Sequence, residues 1–270
     1  MIPIIGFTVY CFIMRNKLVN ELAVCGMNAV LAVGEFHPQT INRLFLREER
    51  LKSFTHICKQ LAERKRPYKI CEDDELERVC KSVHHQGVVA MIEEPVIEPL
   101  SREDLDLWAG EEKTGIILHS VENDHNLGAI ARAAAFFDVS FIVLNEMETE
   151  MRLTTSAYRV AEGGMEHLTF RKIKDTAFFL KDAAERLITI GTDTRARQRI
   201  GDLESIVKNA RSRSSYRQGV ALVLGNEETG LPQNVKDQCS CLLRIPGTGN
   251  IDSLNVSQAA ALFLHAVFSL

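Results

Sequence analysis

Three short stretches of the chain bring together side chains that can hold and orient polar ligand atoms. In residues 123–132 a polar turn runs into a helix that opens on small residues. Asn126 is placed to cap that helix, and Arg132 follows one to two turns later. In residues 222–232 an apolar strand ends at Gly225, where a missing side chain lets a ligand approach the backbone, and the acid Glu227 comes next. In residues 245–257 a strand leads through a glycine loop to a helix start carrying Ser253 and Asn255, and backbone amides exposed there can bind polar atoms. Taken singly, each stretch is also an ordinary strand-to-loop turn, and Arg132 an ordinary solvated arginine.

Each stretch begins where a strand candidate ends, the edge at which open α/β sheets bind ligands. Strand candidates at residues 115–119, 141–144, 187–190, 220–224 and 241–245, with helical segments between most of them, predict a largely parallel sheet covered on both faces. Residues 254–268 are Ala-rich and apolar on most sides, which predicts a helix buried in the core or across an interface between copies. Upstream, short β-like runs at 44–46, 68–71 and 88–92 alternate with a helical stretch at 51–64, the pattern of a small αβ domain. Glu93, Glu94, Pro95, Pro99 and the acidic stretch 102–106 then break the periodicity. The expected organisation is an extension over residues 1–20, a small αβ domain over 21–94, a linker over 95–112 and a larger α/β domain over 113–270.

Composition narrows the function. With 46% hydrophobic and 25% charged residues in 270, the chain can fill two cores and does not read as disordered. A net charge of -4 excludes a uniformly basic nucleic-acid binder, so any such surface is a local patch. The seven cysteines form no CxxC pair and leave one over, which argues against a disulfide framework or a zinc site and for the reducing cytoplasm. The apolar residues 1–13 have no basic residue before them and fall short of the roughly 18 needed to span a bilayer. They read as an extension ahead of a second candidate start at Met14. No GxGxxG follows the first strand, which sets aside a nicotinamide or flavin enzyme. His84 and His85 lack ligands at metal spacing and read as a turn or an RNA contact.

In this order and spacing, the three stretches resemble motifs one, two and three of the SpoU (TrmH) branch of the SPOUT RNA methyltransferases, over roughly residues 115–270. Residues 26–30 and 84–88 resemble the start and end of the ribosomal-protein-like RNA-binding domain of two-domain members. The resemblance implies transfer of a methyl group from S-adenosyl-L-methionine to a ribose 2'-hydroxyl of structured RNA, rRNA or tRNA, without a metal. It further implies a trefoil-knotted, mostly parallel sheet with helices on both faces, working as a homodimer with active sites near the interface. By matching position, Asn126, Arg132, Glu227, Ser253 and Asn255 act at the ribose. The backbone around Leu224, Gly225, Asn226, Ile245, Pro246, Ser253 and Leu254, bordered by Thr192, cradles the cofactor.

A guanidinium with a pKa above about 12 is a poor base. Arg132 therefore either loses its proton in a desolvated pocket or stabilises negative charge on the oxygen and a neighbouring phosphate. Departures from the family pattern are Asp138 where Gly is common, Ala133 for a frequent Thr, and Gly247 where a larger apolar residue is usual. The basic residues Arg195, Arg197, Arg199, Lys208, Arg211, Arg213 and Arg217 follow Thr192 and read as RNA-backbone contacts; Arg64, Lys65 and Arg66 form a second group. Residues 162–167 resemble the family's helix-end turn and are read as structural, with His167 satisfied locally. The alternative is a non-catalytic RNA-binding protein that keeps the fold, and the presence of Arg132, Ser253 and Asn255 favours the enzyme.

Overall fold

The computed structural model describes residues 20–146 and 152–270. The expectations for residues 1–13, for Cys11 and for a start at Met14 lie outside them. The first unit follows the order β1 (Glu21–Cys25), α1 (Met27–Phe36), β2 (Ile41–Leu46), α2 (Thr55–Glu63), β3 (Tyr68–Ile70), α3 (Asp73–Cys80) and β4 (Val88–Glu93). Its four strands are ordered β1-β4-β2-β3. Alternation along the strands sorts the side chains: Val24, Val88 and Ala90 pack with α1 and α2 on one face, while Cys25 and Val89 meet Leu76 and Cys80 of α3 on the other. That period of two is what a sheet covered on both faces requires.

The second unit contains β5 (Glu98–Pro99), α4 (Arg102–Gly110), β6 (Thr114–Leu118), α5 (Asp124–Phe136), β7 (Phe141–Asn145), α6 (Thr155–Ala161) and β8 (Thr169–Ile173). It continues with α7 (Thr176–Asp182), β9 (Leu187–Thr192), β10 (Gln198–Arg199), α8 (Leu203–Arg213), β11 (Gly219–Leu224), α9 (Gln233–Lys236), β12 (Cys241–Arg244) and α10 (Val256–Phe268). Its eight strands run β10-β12-β9-β11-β6-β7-β8-β5, and every pairing is parallel. The central strands are buried along their whole length, the continuous apolar pattern of a sheet covered on both faces. The mostly parallel α/β architecture expected from the sequence is the one observed.

Within residues 95–112 the chain folds rather than merely linking. β5 adds to the edge of the large sheet beside β8, and α4 opens with a capping box in which Ser101 and Asp104 bond reciprocally. Trp108 pins α4 to the sheet: its indole donates to the Lys113 carbonyl at 2.9 Å and stacks on Phe141 at 5.0 Å. Gly115 leaves room for that ring, since a Cβ there would lie 2.1 Å from it. α10 buries Val256, Ala260, Phe263, Leu264 and Val267 but exposes Leu262 and Phe268. It is thus buried on one face and not on most sides.

Candidate active site

Parallel pairing aligns the strand ends that the three stretches leave. β9 lies between β11 and β12 with Gly191 opposite Val223 and Thr192 opposite Leu243, so Thr192, Leu224 and Ile245 end side by side. The Thr192 hydroxyl donates to the Val223 carbonyl at 3.3 Å. On the other flank the His119 amide donates to the Leu224 carbonyl at 2.8 Å, and Asn226 Nδ2 donates to the Ser120 carbonyl at 3.0 Å. The Asn226 side-chain Oδ1 accepts from the amides of Glu228 and Thr229 at 2.9 and 3.1 Å, which folds residues 226–230 into a tight turn closed by an Asn226–Gly230 bridge. Gly225 is required there: a Cβ would sit 2.4 Å from the Gly230 carbonyl carbon and 2.6 Å from the Leu231 nitrogen.

Asn126 does not cap α5. Asn123 does, accepting from the amides of His125 and Asn126 at 2.8 and 3.4 Å. The chain leaves β6 through Ser120 in a left-handed turn (φ 56°) and starts the helix earlier than the sequence reading placed it. This frees Asn126 for a different task. Its Nδ2 donates to Glu227 Oε1 at 2.5 Å, and its Oδ1 accepts from Asn255 Nδ2 at 3.0 Å. Asn255 is the N-cap of α10, accepting from the Ser257 amide at 2.8 Å and the Ser257 hydroxyl at 2.6 Å. The direction of the chain is forced: a carboxylate can only accept, so the Asn126 amide nitrogen must face Glu227 and its carbonyl must face a donor.

The structure thus joins Asn126, Glu227 and Asn255, one from each stretch. Ser253 and Leu254 lie exposed in the loop between β12 and α10, as does Pro246, with Ile245 half-buried. Ile251 and Leu254 in that loop are 82% and 48% exposed. Arg132 stands apart. Six residues beyond Asn126, it lies about 9 Å further along α5 and about 120° round it, with Nη1 3.6 Å from Glu162 Oε1. Phe136, one turn later on the same face, is 79% exposed.

Neighbouring charges support these loops. Lys236 of α9 pairs with Asp193, just past β9, at 2.8 Å. Burial works to raise the Asp193 pKa, but the Lys236 bond and the Arg195 amide outweigh it and hold the carboxyl below its ordinary value. Burial pushes the nearby thiols up, Cys239 to about 12 and Cys241 to about 11, which makes them poor nucleophiles. The basic cluster divides. Arg211 and Arg217 both turn to Glu112, at the opposite end of β6 from the active loops, and Lys208 pairs with Glu204. Arg195, Arg197 and Arg199 are exposed beside the ends of β9 and β12. Among the described residues no group of His, Cys, Asp and Glu is arranged to hold a metal.

Residues 113–265 match the model of the SpoU rRNA Methylase family. The chain belongs to the SpoU rRNA methylase family. Residues 23–97 match a second model, described as RNA 2'-O ribose methyltransferase substrate binding. A putative TrmH family tRNA/rRNA methyltransferase of Bacillus subtilis, YacO, is 32% identical over 68% of this chain and 70% of its own. The 23S rRNA (guanosine-2'-O-)-methyltransferase RlmB of Bordetella pertussis is 27% identical over 92% of this chain and 97% of its own. Among solved structures, an rRNA methyltransferase from Sinorhizobium meliloti superposes with a TM-score of 0.70 at 21% identity, covering 92% of this chain and 86% of that one. That likeness shows the fold.

Within this SpoU member, the structure brings Asn126, Glu227 and Asn255 together out of the residues singled out from the sequence. Sequence reasoning missed Asn123 as the cap, Ser120 as the turn, and the Glu162 partner of Arg132. A signal for the first was present, since Asn123 and Asn126 are both cap-forming residue types at the same helix start. The other two depend on contacts remote in sequence.

Proposed function

We propose that this SpoU methylase transfers a methyl group from S-adenosyl-L-methionine to a ribose 2'-hydroxyl of structured RNA, acting as a homodimer in the cytoplasm. The observation that carries the reading is the directional chain Glu227, Asn126, Asn255, which ties three loops together at the carboxyl edge of a parallel sheet. The loops suit the cofactor. A flat backbone at Gly225, adjoining strand ends at Leu224, Thr192 and Ile245, and the exposed apolar side chains Ile251 and Leu254 offer backbone donors and acceptors beside apolar walls, as a nucleoside requires. Asn226, Pro246 and Ser253 belong to the same loops.

When bound, S-adenosylmethionine supplies a methyl group on a sulfonium, already a strong electrophile. The residues of the chain have to align the attacking oxygen and manage one proton. Glu227 fixes Asn126, and Asn126, Asn255 and Ser253 orient the ribose. Arg132 stabilises the negative charge that develops on the ribose oxygen as its proton passes to solvent water.

In a single chain, Arg132 sits off the Asn126 face. It shares its face of α5 with exposed Phe136, beside Phe137, which packs on Phe268 of α10 at 5.8 Å. This apolar patch supports a homodimer joined through α5 and α10, with Arg132 at the interface. Membership of the SpoU family supports the trefoil knot, with β11 seated between β9 and β6 and β12 beyond β9.

The residue 21–94 unit would take the RNA and the residue 113–270 unit the chemistry. RlmB relatives that match most of both chains make 23S rRNA the first substrate to test. Among the described residues no helix is long and apolar enough to cross a membrane, and six cysteines are free thiols.

The test is calorimetric titration with S-adenosylhomocysteine, comparing wild type with Leu254→Arg, followed by labelled methyl transfer to rRNA and tRNA. Saturable binding lost in the variant and ribose-methylated RNA are expected. A folded dimer that retains RNA but binds no S-adenosylhomocysteine would overturn the enzyme reading in favour of an RNA-binding protein.

A further inference from the structure

The turn after α6 is wedged between the two units. Glu162 caps α6 in the left-handed region, at φ 47° and ψ 45°, where a residue with a Cβ is strained and Gly or Asn is usual. Gly163 follows at φ 94°, and a Cβ there would lie 3.1 Å from the Asn28 carbonyl oxygen and 3.0 Å from Ala32 Cβ, both on α1. Gly164 packs the other way, its missing Cβ 3.0 Å from the Ala131 carbonyl and 3.1 Å from Arg132 Cα on α5. Two side-chain pairs reinforce the seat. Glu166, a nearly buried carboxylate, bonds His37, and His167 meets Phe36 edge-on at 4.5 Å. His167 thus also touches the first unit.

The Glu162 carboxylate is shared. Its Oε2 accepts from Asn28 Nδ2 of α1 at 2.9 Å, and its Oε1 lies 3.6 Å from Arg132 Nη1. An exposed ion pair returns too little stability to offset the strained backbone that presents it. What the carboxylate does provide is a bridge, since it touches one side chain from each unit. We propose that Glu162 positions Arg132 for catalysis and, through Asn28, makes that positioning depend on docking of the RNA-binding unit against the catalytic one. An RNA bound to the first unit would in this way be reported to the arginine that acts on its ribose. Glu162 is a positioning residue and touches no reacting atom. The catalytic consequence rests on the methyl-transfer reading above; the hold on Arg132 does not.

The experiment compares full-length wild type with Glu162→Gln, Glu162→Gly and Asn28→Ala. Reaction of Arg132 with phenylglyoxal, followed by mass spectrometry of the modified peptide, reads the hold directly and without activity. Arg132 should react about two- to fivefold faster in Glu162→Gln and in Asn28→Ala. Single-turnover methyl transfer at saturating RNA should fall about tenfold or more in both Glu162 variants, with S-adenosylhomocysteine affinity unchanged. Glu162→Gly relieves the left-handed backbone, so its Tm should equal or exceed that of wild type while its rate falls, a pattern that a merely structural glutamate would not give. Arg132 reactivity unchanged in Glu162→Gln overturns the proposal whatever the activity. Faster modification in variants of a wild type that methylates no RNA would keep the hold and sink the methyl-transfer reading. Faster modification with a rate within twofold of wild type would overturn the catalytic role.

Discussion

Asn255 holds two jobs that different substitutions separate. Its side-chain oxygen caps α10, accepting from the Ser257 amide at 2.8 Å, and its amide nitrogen donates to Asn126 at 3.0 Å. Losing an N-cap costs about 1 kcal/mol, and losing a solvent-accessible hydrogen bond about 0.5 to 1 kcal/mol. Asn255→Ala loses both, a total of about 2 kcal/mol and roughly 4 to 8 °C in Tm for a chain of this size. Asn255→Asp keeps the capping oxygen, which a helix N-terminus favours as a carboxylate, but turns an acceptor toward the Asn126 carbonyl. Its cost should be under about 1 kcal/mol, or roughly 1 to 4 °C.

Activity should follow the other job. Once Asn255 no longer donates, the Asn126 amide is held only from the Glu227 side and can rotate away from the ribose. Misplacing a group that aligns reactants by about an ångström costs on the order of a hundredfold in rate. Both variants should therefore fall about 10- to 100-fold in single-turnover methyl transfer, although their stabilities differ. Differential scanning calorimetry and labelled methyl transfer at saturating RNA measure the two effects. An Asn255→Asp enzyme within twofold of wild type would refute the role of the hydrogen-bonded chain, and equal Tm losses for Ala and Asp would refute the capping assignment.

Gly225→Ala should abolish S-adenosylhomocysteine binding in calorimetry, because its Cβ meets the backbone of Gly230 and Leu231 at 2.4 to 2.6 Å and the turn bearing Asn226 and Glu227 must move. Arg171 donates two bonds to Asp104 at 2.8 and 2.9 Å and, with the Ser101 amide, holds the Asp104 carboxyl below its ordinary value against the effect of burial. That stability is present above the unfolded-state pKa and is lost as pH falls through the lower folded-state value. Urea unfolding should thus show Asp104→Asn less stable by about 1 to 3 kcal/mol at pH 7, with the gap closing below about pH 4. Replacing Arg195, Arg197 and Arg199 by Gln should weaken RNA binding and lower its salt dependence, whereas replacing Arg211 and Arg217 should do neither, as filter binding across a salt series would report. Phe136→Asp should give a folded monomer by light scattering; a variant still dimeric at micromolar concentration would remove α5 from the interface.

The fold was legible where burial writes a continuous apolar run. β6, β7, β9 and β11 announce themselves because a parallel sheet hides both faces, and β12, though only partly buried, is apolar up to Arg244. β8 does not announce itself. Arg171 and Lys172 break its pattern, and they are tolerated because Asp104 and Glu146 neutralise them. β5 is two residues long and contains Pro99, admissible at a sheet edge but indistinguishable from a linker in sequence. In the site, Gly225 and the polar residues at strand ends could be read locally, whereas the true cap of α5 could not. Two asparagines compete for that position, and the winner depends on where Ser120 turns the chain. The pairings Asn28–Glu162 and Arg132–Glu162 span 134 residues and 30 residues, distances over which periodicity carries no information.

The separation of Arg132 from the Asn126 cluster follows from helix geometry and bears on how the family motif is built. A helix presents residues three, four and seven apart on one face, and a spacing of six sends Arg132 away from Asn126. The first motif thus serves two surfaces at once. Asn126, freed by the cap at Asn123, points into the loop cluster and fixes Glu227 and Asn255. Arg132 points to the face that also exposes Phe136 and meets the turn carrying Glu162.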